Sequence, residues 1–145
     1  MAGNDGFTDR ERTAMRERSA ELKKEAKRST AKNKAAADAQ DVLNAIAALS
    51  DEDRRIATWS HEVITSASAD LAPRLWYGAP AYAYKGKFLC FFRTADKDGT
   101  RYTSLGFNDT ANLDDGNFWP TTYAVADIDE GTADTIRKLI ARAMS

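Results

Sequence analysis

The sequence is poor in the residues that build cross-linked or reactive sites. Its 145 residues include one cysteine, Cys90, and one histidine, His61. A single cysteine excludes an internal disulfide and a zinc site built from cysteines. No stretch approaches the roughly 18 apolar residues of a membrane-spanning helix, and the N-terminus lacks the apolar core of a secretory signal. The cytoplasm is therefore the expected compartment, with no membrane partner.

Catalytic motifs are also missing. The glycines are isolated, and neither GxGxxG nor GxxxxGK occurs, so nucleotide hydrolysis is not expected. A Ser-His-Asp or Cys-His device would need His61. This residue stands without a motif on an amphipathic helix and is expected on the helix surface or at the boundary of the core. Cys90 lies in an apolar run and is expected to be buried, without the electropositive setting of a reactive thiol. The sequence therefore leans against an enzyme.

Charge divides the chain into two parts. Residues 1–37 hold ten Lys or Arg and six Asp or Glu, a net of +4, and residues 38–145 carry a net of −5. Between Thr8 and Lys34 good helix formers dominate, without Gly or Pro. The apolar stripe there is thin and consists of Phe7, Met15 and Leu22. It predicts a charged, partly frayed helical arm over residues 1–37 or one docked on a partner or a second copy. Interleaved acids argue against nucleic-acid binding.

Residues 38–145 are expected to form a single domain with helices at both ends. Asp38 or Asp41 can cap a first helix, and Ser50 stands before three acids at the start of a second helix, to about residue 68. An apolar stripe over residues 130–144 predicts the last helix. The acids around Asp129 are expected to cap it.

The middle of the domain is an aromatic block, residues 75–107, which holds eight of the eleven Phe and Tyr residues. Residues 75–77 are predicted to be a short extended piece, followed by a break or sharp bend at residues 78–80. A hairpin is expected across Lys85–Gly86, and a turn at residues 96–99 leads to a returning strand. Residues 88–92 are all apolar, which predicts a central strand covered on both faces or one whose outer face meets aromatics.

After a turn-rich loop, residues 118–128 are expected to be extended, with Pro120 at an edge or a bulge. Helices before and after an antiparallel meander indicate an α+β fold. We expect a sheet of about five strands with helices packed on one side.

Two groups of residues are candidates for binding. Carboxylates in the turn-rich loop could bind a hard cation or ferrous iron, although turn formation is the favoured explanation and their spacing fails the calcium-loop pattern. Aromatic side chains near Gly78 and Pro80 could line a pocket for a small molecule or peptide, with core packing as the alternative. The metal candidates are Asp109, Asp114 and Asp115, and the pocket candidates are Trp76, Tyr77, Tyr82 and Trp119.

Three motifs carry a family resemblance. LWYGAPAYAYKGKFLCFF, RYTSLGFND and NLDDGNFWPTTYAV, in this order between residues 75 and 125, resemble the YdhG-like family, a domain of unknown function. The resemblance spans roughly residues 41–143 and implies an α+β fold with an antiparallel sheet. One branch of that family is described as a frataxin-like iron chaperone, which would make iron the cargo here. No acid of this chain matches an established iron site residue by residue.

Overall fold

The computed structural model describes residues 8–27 and 31–145 of the chain. In these ranges no helix is both long and apolar enough to cross a membrane. The helices are α1 (Asp9–Lys27), α2 (Ala31–Ala47), α3 (Asp51–Ala67), the short α4 (Ala95–Asp98) and α5 (Glu130–Ala143).

Five strands form one antiparallel sheet in which each strand pairs with the next in the chain. The predicted α+β fold with about five antiparallel strands is therefore confirmed. The strands are β1 (Ala72–Trp76), β2 (Ala79–Tyr84), β3 (Lys87–Arg93), β4 (Thr103–Phe107) and β5 (Thr122–Val125).

Two-residue turns close the first two hairpins. Tyr77–Gly78 joins β1 to β2, and Lys85–Gly86 joins β2 to β3, with positive φ at all four residues. Two successive positive φ angles match the right-handed twist of the flanking strands. The hairpin at Lys85–Gly86 is as predicted. The break or sharp bend expected at residues 78–80 is a tight turn at residues 77 and 78. Its predicted extent is wrong, because Pro80 lies within β2, opposite Leu75.

A bulge between β2 and β3 explains the unbroken apolar run at residues 88–92. Tyr82 pairs with Cys90, while the next residue of β2 pairs with Phe88, so Leu89 is the extra residue. Leu89 and Cys90 are both buried in the core. Phe88 is only partly buried and stacks on Trp76, with ring centroids 5.2 Å apart. Two arrangements were predicted for this strand. The structure has the second, in which the outer face of the strand packs against other aromatic side chains.

The main core joins the sheet to helices α3 and α5, and α2 adds two residues beside β1 and β2. Each large apolar side chain buried in this way contributes about 1.5–3 kcal/mol. Among its described side chains, α1 contributes none to the core. The largest core residues are Tyr82, Leu89, Phe92, Leu105 and Phe107 of the sheet, Ile56, Val63 and Ile64 of α3, Ile136 and Ile140 of α5, and Val42 and Ile46 of α2.

The helix starts are only partly those that the sequence predicts. Ser50 and Asp129 accept backbone N–H groups in the first turns of α3 and α5, as expected. Helix α2 begins at Ala31, so the cap predicted at Asp38 or Asp41 is wrong. Asp38 is buried inside the helix, 2.7 Å from Lys34 Nζ. Four of the seven residues 31–37 are alanine, which has the highest helix propensity, and the helix therefore starts before both aspartates.

The last strand is shorter than residues 118–128. Pro120 has no N–H to give to a sheet, and β5 begins only two residues after it. Phe118, before the proline, is 95% exposed. The extended stretch predicted here is therefore mostly loop.

Candidate functional site

The turn between β1 and β2 presents a backbone N–H group to helix α1. Gly78 N donates to the Glu21 carboxylate at 3.0 Å. A side chain at position 78 would place its Cβ 2.5 Å from Glu17 Oε2. Glycine therefore suits the positive φ of the turn, and a Cβ here would also displace the flexible Glu17 carboxylate from its present position.

Lys97 of α4 supplies a positive charge at the same turn. Its Nζ lies 3.2 Å from Glu17 Oε2 and donates to the Gly78 carbonyl at 3.1 Å. Hydrogen bonds between charged groups are shorter and stronger than neutral ones. The turn and Lys97 thus bind two glutamates of one helix, Glu17 and Glu21, spaced by one helical turn.

Helix α4, although only four residues long, is fixed by a buried aspartate of α3. The Asp53 carboxylate, 2% exposed, accepts the N–H groups of Asp96 at 3.1 Å and Lys97 at 2.9 Å. Ser50 Oγ donates to the Asp96 carboxylate at 2.8 Å. The sequence assigned residues 51–53 to the first turn of α3 alone. The second role of Asp53, which is to accept the N–H groups of α4, was missed because Asp96 and Lys97 lie more than 40 residues away in sequence.

An open cleft of about 820 Å³ separates the N-terminal half of α1 from the body of the protein. The wall on the body carries two cations and one acid, and the α1 wall carries three acids and one cation. The two walls are therefore complementary in charge. The charged residues are Arg93, Lys97 and Asp98 on the body and Asp9, Arg10, Glu11 and Glu17 on α1.

The aromatic residues predicted to line a pocket are divided between two places. Trp76 and Tyr77 lie together at the turn, with ring centroids 5.6 Å apart, and Tyr77 is 38% exposed in the cleft wall. Tyr82 is fully buried in the core, and Trp119 packs partly buried against the core. Only Trp76 and Tyr77 therefore belong to the candidate site.

His61, Tyr82 and Cys90 lie next to one another, with Tyr82 and Cys90 buried and His61 partly buried. The Tyr82 hydroxyl and His61 Nδ1 are 2.7 Å apart. Burial lowers the pKa of His61, raises the pKa of Tyr82 well above its usual value, and raises the pKa of Cys90 to about 12. All three groups are consequently uncharged near pH 7, and the cysteine is a thiol rather than a nucleophilic thiolate.

The acidic candidates for a metal are exposed on the loop between β4 and β5. Arg142 of α5 donates to the backbone carbonyls of Leu113 at 3.1 Å and Asp114 at 3.0 Å, which places a positive charge beside the loop. Within residues 8–27 and 31–145, no three His, Cys, Asp or Glu side chains come together so as to hold a metal ion. Asp109, Asp114 and Asp115 are all solvent-exposed.

No family model matches the chain, and neither a curated protein nor a solved structure matches it. The resemblance to the YdhG-like family therefore stays a prediction.

Proposed function

We propose that this protein is a binding module that recognises the acidic face of a peptide or protein partner at the β1–β2 turn. The observation that supports this proposal is the binding of Glu17 and Glu21 by the Gly78 N–H group and Lys97. The proposal follows the predicted peptide-binding alternative around residues 76–80. Of the four aromatic residues predicted to line a pocket, only Trp76 and Tyr77 are part of the proposed site.

The surface of the body has the chemistry for such a ligand. A turn N–H group and an ammonium group give two separate donors for carboxylates, and Arg93 lies in the same wall, where it pairs with Asp98 at 3.6 Å. Residues four apart on a helix lie on one face, with Cβ atoms about 5–6 Å apart. A helix with two carboxylates at this spacing can therefore reach both donors, and the exposed ring of Tyr77 offers apolar area beside them.

The expected affinity is modest. An exposed ion pair contributes about 0–1 kcal/mol, and the pair of Lys97 with Glu17 is close to this kind, since about a third of each side chain is exposed. The Glu21 carboxylate instead accepts a partly buried hydrogen bond from a backbone N–H group, and a single hydrogen bond to a charged group contributes about 1.5–3 kcal/mol. Salt screens ion pairs, so the complex should weaken as ionic strength rises. These properties are typical of a reversible interaction module.

The test is a titration of the full chain with a fluorescent peptide that has the sequence of residues 9–27, followed by anisotropy at low salt. Lys97→Glu should weaken binding about tenfold, because it replaces the cation by a repelling charge. Lys85→Glu changes the same charge on the exposed turn of the other hairpin and should bind as the parent does. If Lys97→Glu binds the peptide as tightly as the parent, the site is not the one proposed.

The iron-chaperone role stays a second proposal, implied only by the family resemblance. It assigns ferrous iron to Asp109, Asp114 and Asp115. An anaerobic ferrous titration of the full chain, followed by calorimetry, should then show saturable binding that weakens when Asp114→Ala is combined with Asp115→Ala. Equal binding by the parent and this variant would exclude those carboxylates as the site.

A further inference from the structure

We infer that helix α1 is a tethered competitor for the partner, so that the site opens only when α1 leaves it. The inference rests on the proposed function and concerns its regulation. In the structure the two glutamates of α1 occupy the same donors that a partner would need. A partner with an acidic face and α1 therefore cannot use the Gly78 N–H group and Lys97 at the same time.

The contacts of α1 are suited to release. Met15 is 44% exposed and Leu22 is 50% exposed, so the predicted apolar stripe points to solvent rather than into the core. Phe7, the remaining member of that stripe, lies outside the described residues. The half-buried Glu21 has a raised carboxyl pKa, chiefly because burial removes water from it, which makes its ionised form costly to hold.

The other contacts of α1 with the body are also polar. The guanidinium of Arg10 lies against Gly99, where a Cβ would be 2.5 Å from its central carbon. Lys24 Nζ lies 4.0 Å from the Asp41 carboxylate. Pairs of this kind contribute little each, so their sum can be matched by a competing ligand.

Helix α2 behaves differently from α1, although the two are consecutive. Val42 and Ile46 of α2 are buried in the core, so α2 cannot leave without exposing apolar surface to water. None of the described side chains of α1 belongs to the core. The fold therefore separates a helix that can leave from a helix that has to stay.

The size of the effect follows from the fraction of molecules with an open site. If α1 occupies the site about 90% of the time, the apparent Kd for a partner is about tenfold higher than for the open form. A variant with α1 released should therefore bind the partner with an apparent Kd about tenfold lower than that of the parent. The factor is measurable with the same labelled peptide.

The opening variant combines Glu17→Lys with Glu21→Lys, which places two cations against Lys97 and the turn. Lysine forms helices about as well as glutamate, so α1 should stay helical. The control variant combines Glu62→Lys with Asp70→Lys, the same change of charge at two exposed residues of α3 and the loop after it. The labelled peptide should bind the opening variant about tenfold more tightly than it binds the parent or the control.

Each result of this experiment has a distinct meaning. Equal affinity for all three proteins, with loss of binding in Lys97→Glu, would leave the binding site standing and overturn the competition. No binding to any of them would overturn both. Hydrogen exchange on the unaltered chain gives a second measurement that needs no mutation. Saturating peptide should speed exchange of the α1 amides, and unchanged exchange would contradict the inference.

Discussion

At Gly78 a backbone requirement and a packing requirement act on one residue. Its φ of +76° is strained for any residue with a side chain, and a Cβ there would collide with the Glu17 carboxylate. Gly86 has a similar φ of +81° in the next hairpin, but nothing lies within 4 Å of the position a Cβ would take. A comparison of substitutions at the two glycines therefore distinguishes the effect of turn strain from the effect of contact with α1.

We expect Gly78→Ala and Gly86→Ala each to lower the free energy of unfolding by about 1–2 kcal/mol, the cost of a left-handed non-glycine residue. Only Gly78→Ala should also displace the Glu17 carboxylate and loosen α1, because only that Cβ reaches Glu17. Urea denaturation measures the first effect, and hydrogen exchange of α1 measures the second. Equal exchange of α1 in the two variants would show that the Glu17 contact does not hold the helix.

The partial burial of His61 makes stability depend on pH. Burial lowers the His61 pKa in the folded protein below its ordinary value of 6.5, so the unfolded chain binds more protons as pH falls through that region. The stabilisation is present above pH 6.5 and is lost as pH falls below it. The free energy of unfolding should therefore decrease between pH 7 and pH 5.

A substitution of His61 distinguishes its contribution to the pH dependence of stability from that of carboxylic acids, which titrate at lower pH. His61→Asn can keep an acceptor near the Tyr82 hydroxyl but cannot bind a proton in this range. Denaturation at several pH values should give a shallower dependence for the variant than for the parent between pH 7 and pH 5. Parallel curves would show that His61 titrates alike in the folded and unfolded chains.

Among the secondary-structure elements, α4 depends most on a distant partner. Asp53→Ala would remove the acceptor of two N–H groups at the start of α4. Leaving buried donors unpaired costs about 1–3 kcal/mol, and the loosened α4 would no longer hold Lys97 at the turn. We expect both lower stability and weaker binding of the labelled peptide.

Asp51→Ala is the matched control, since Asp51 is an exposed acid in the same turn of α3 and pairs only with Arg54 among the contacts described. It should change the free energy of unfolding by less than about 1 kcal/mol and leave peptide binding unaltered. Equal effects of the two substitutions would mean that Asp53 acts through α3 alone.

Predictability from sequence differs between these elements for a physical reason. The cap at Ser50 and the turn at Lys85–Gly86 are local, because the residues that make them are neighbours in the chain. The contacts that build the candidate site are not local: Gly78 and Glu21 are 57 residues apart. Residue types alone indicated that residues 76–80 were unusual, but not that α1 would supply the carboxylates bound there.

The whole molecule is held together by two kinds of interaction with different dependence on salt. Helices α2, α3 and α5 share the apolar core with the sheet, whereas α1 contacts the body through charged and polar groups. The domain boundary predicted at residues 37 and 38 stays a prediction. It falls inside α2, whose core residues Val42 and Ile46 follow it.

Salt should therefore loosen α1 without loosening the core. The screening length falls from about 10 Å at 0.1 M to about 3 Å at 1 M salt, which weakens the pairing of Lys97 with Glu17, while apolar burial is not screened. We expect amide exchange in α1 to become several-fold faster between 0.05 M and 1 M sodium chloride, and exchange in α3 and α5 to stay slow. If α1 stays as protected as α3 at 1 M salt, charge is not what holds it, and its release by an acidic partner would lose its physical basis.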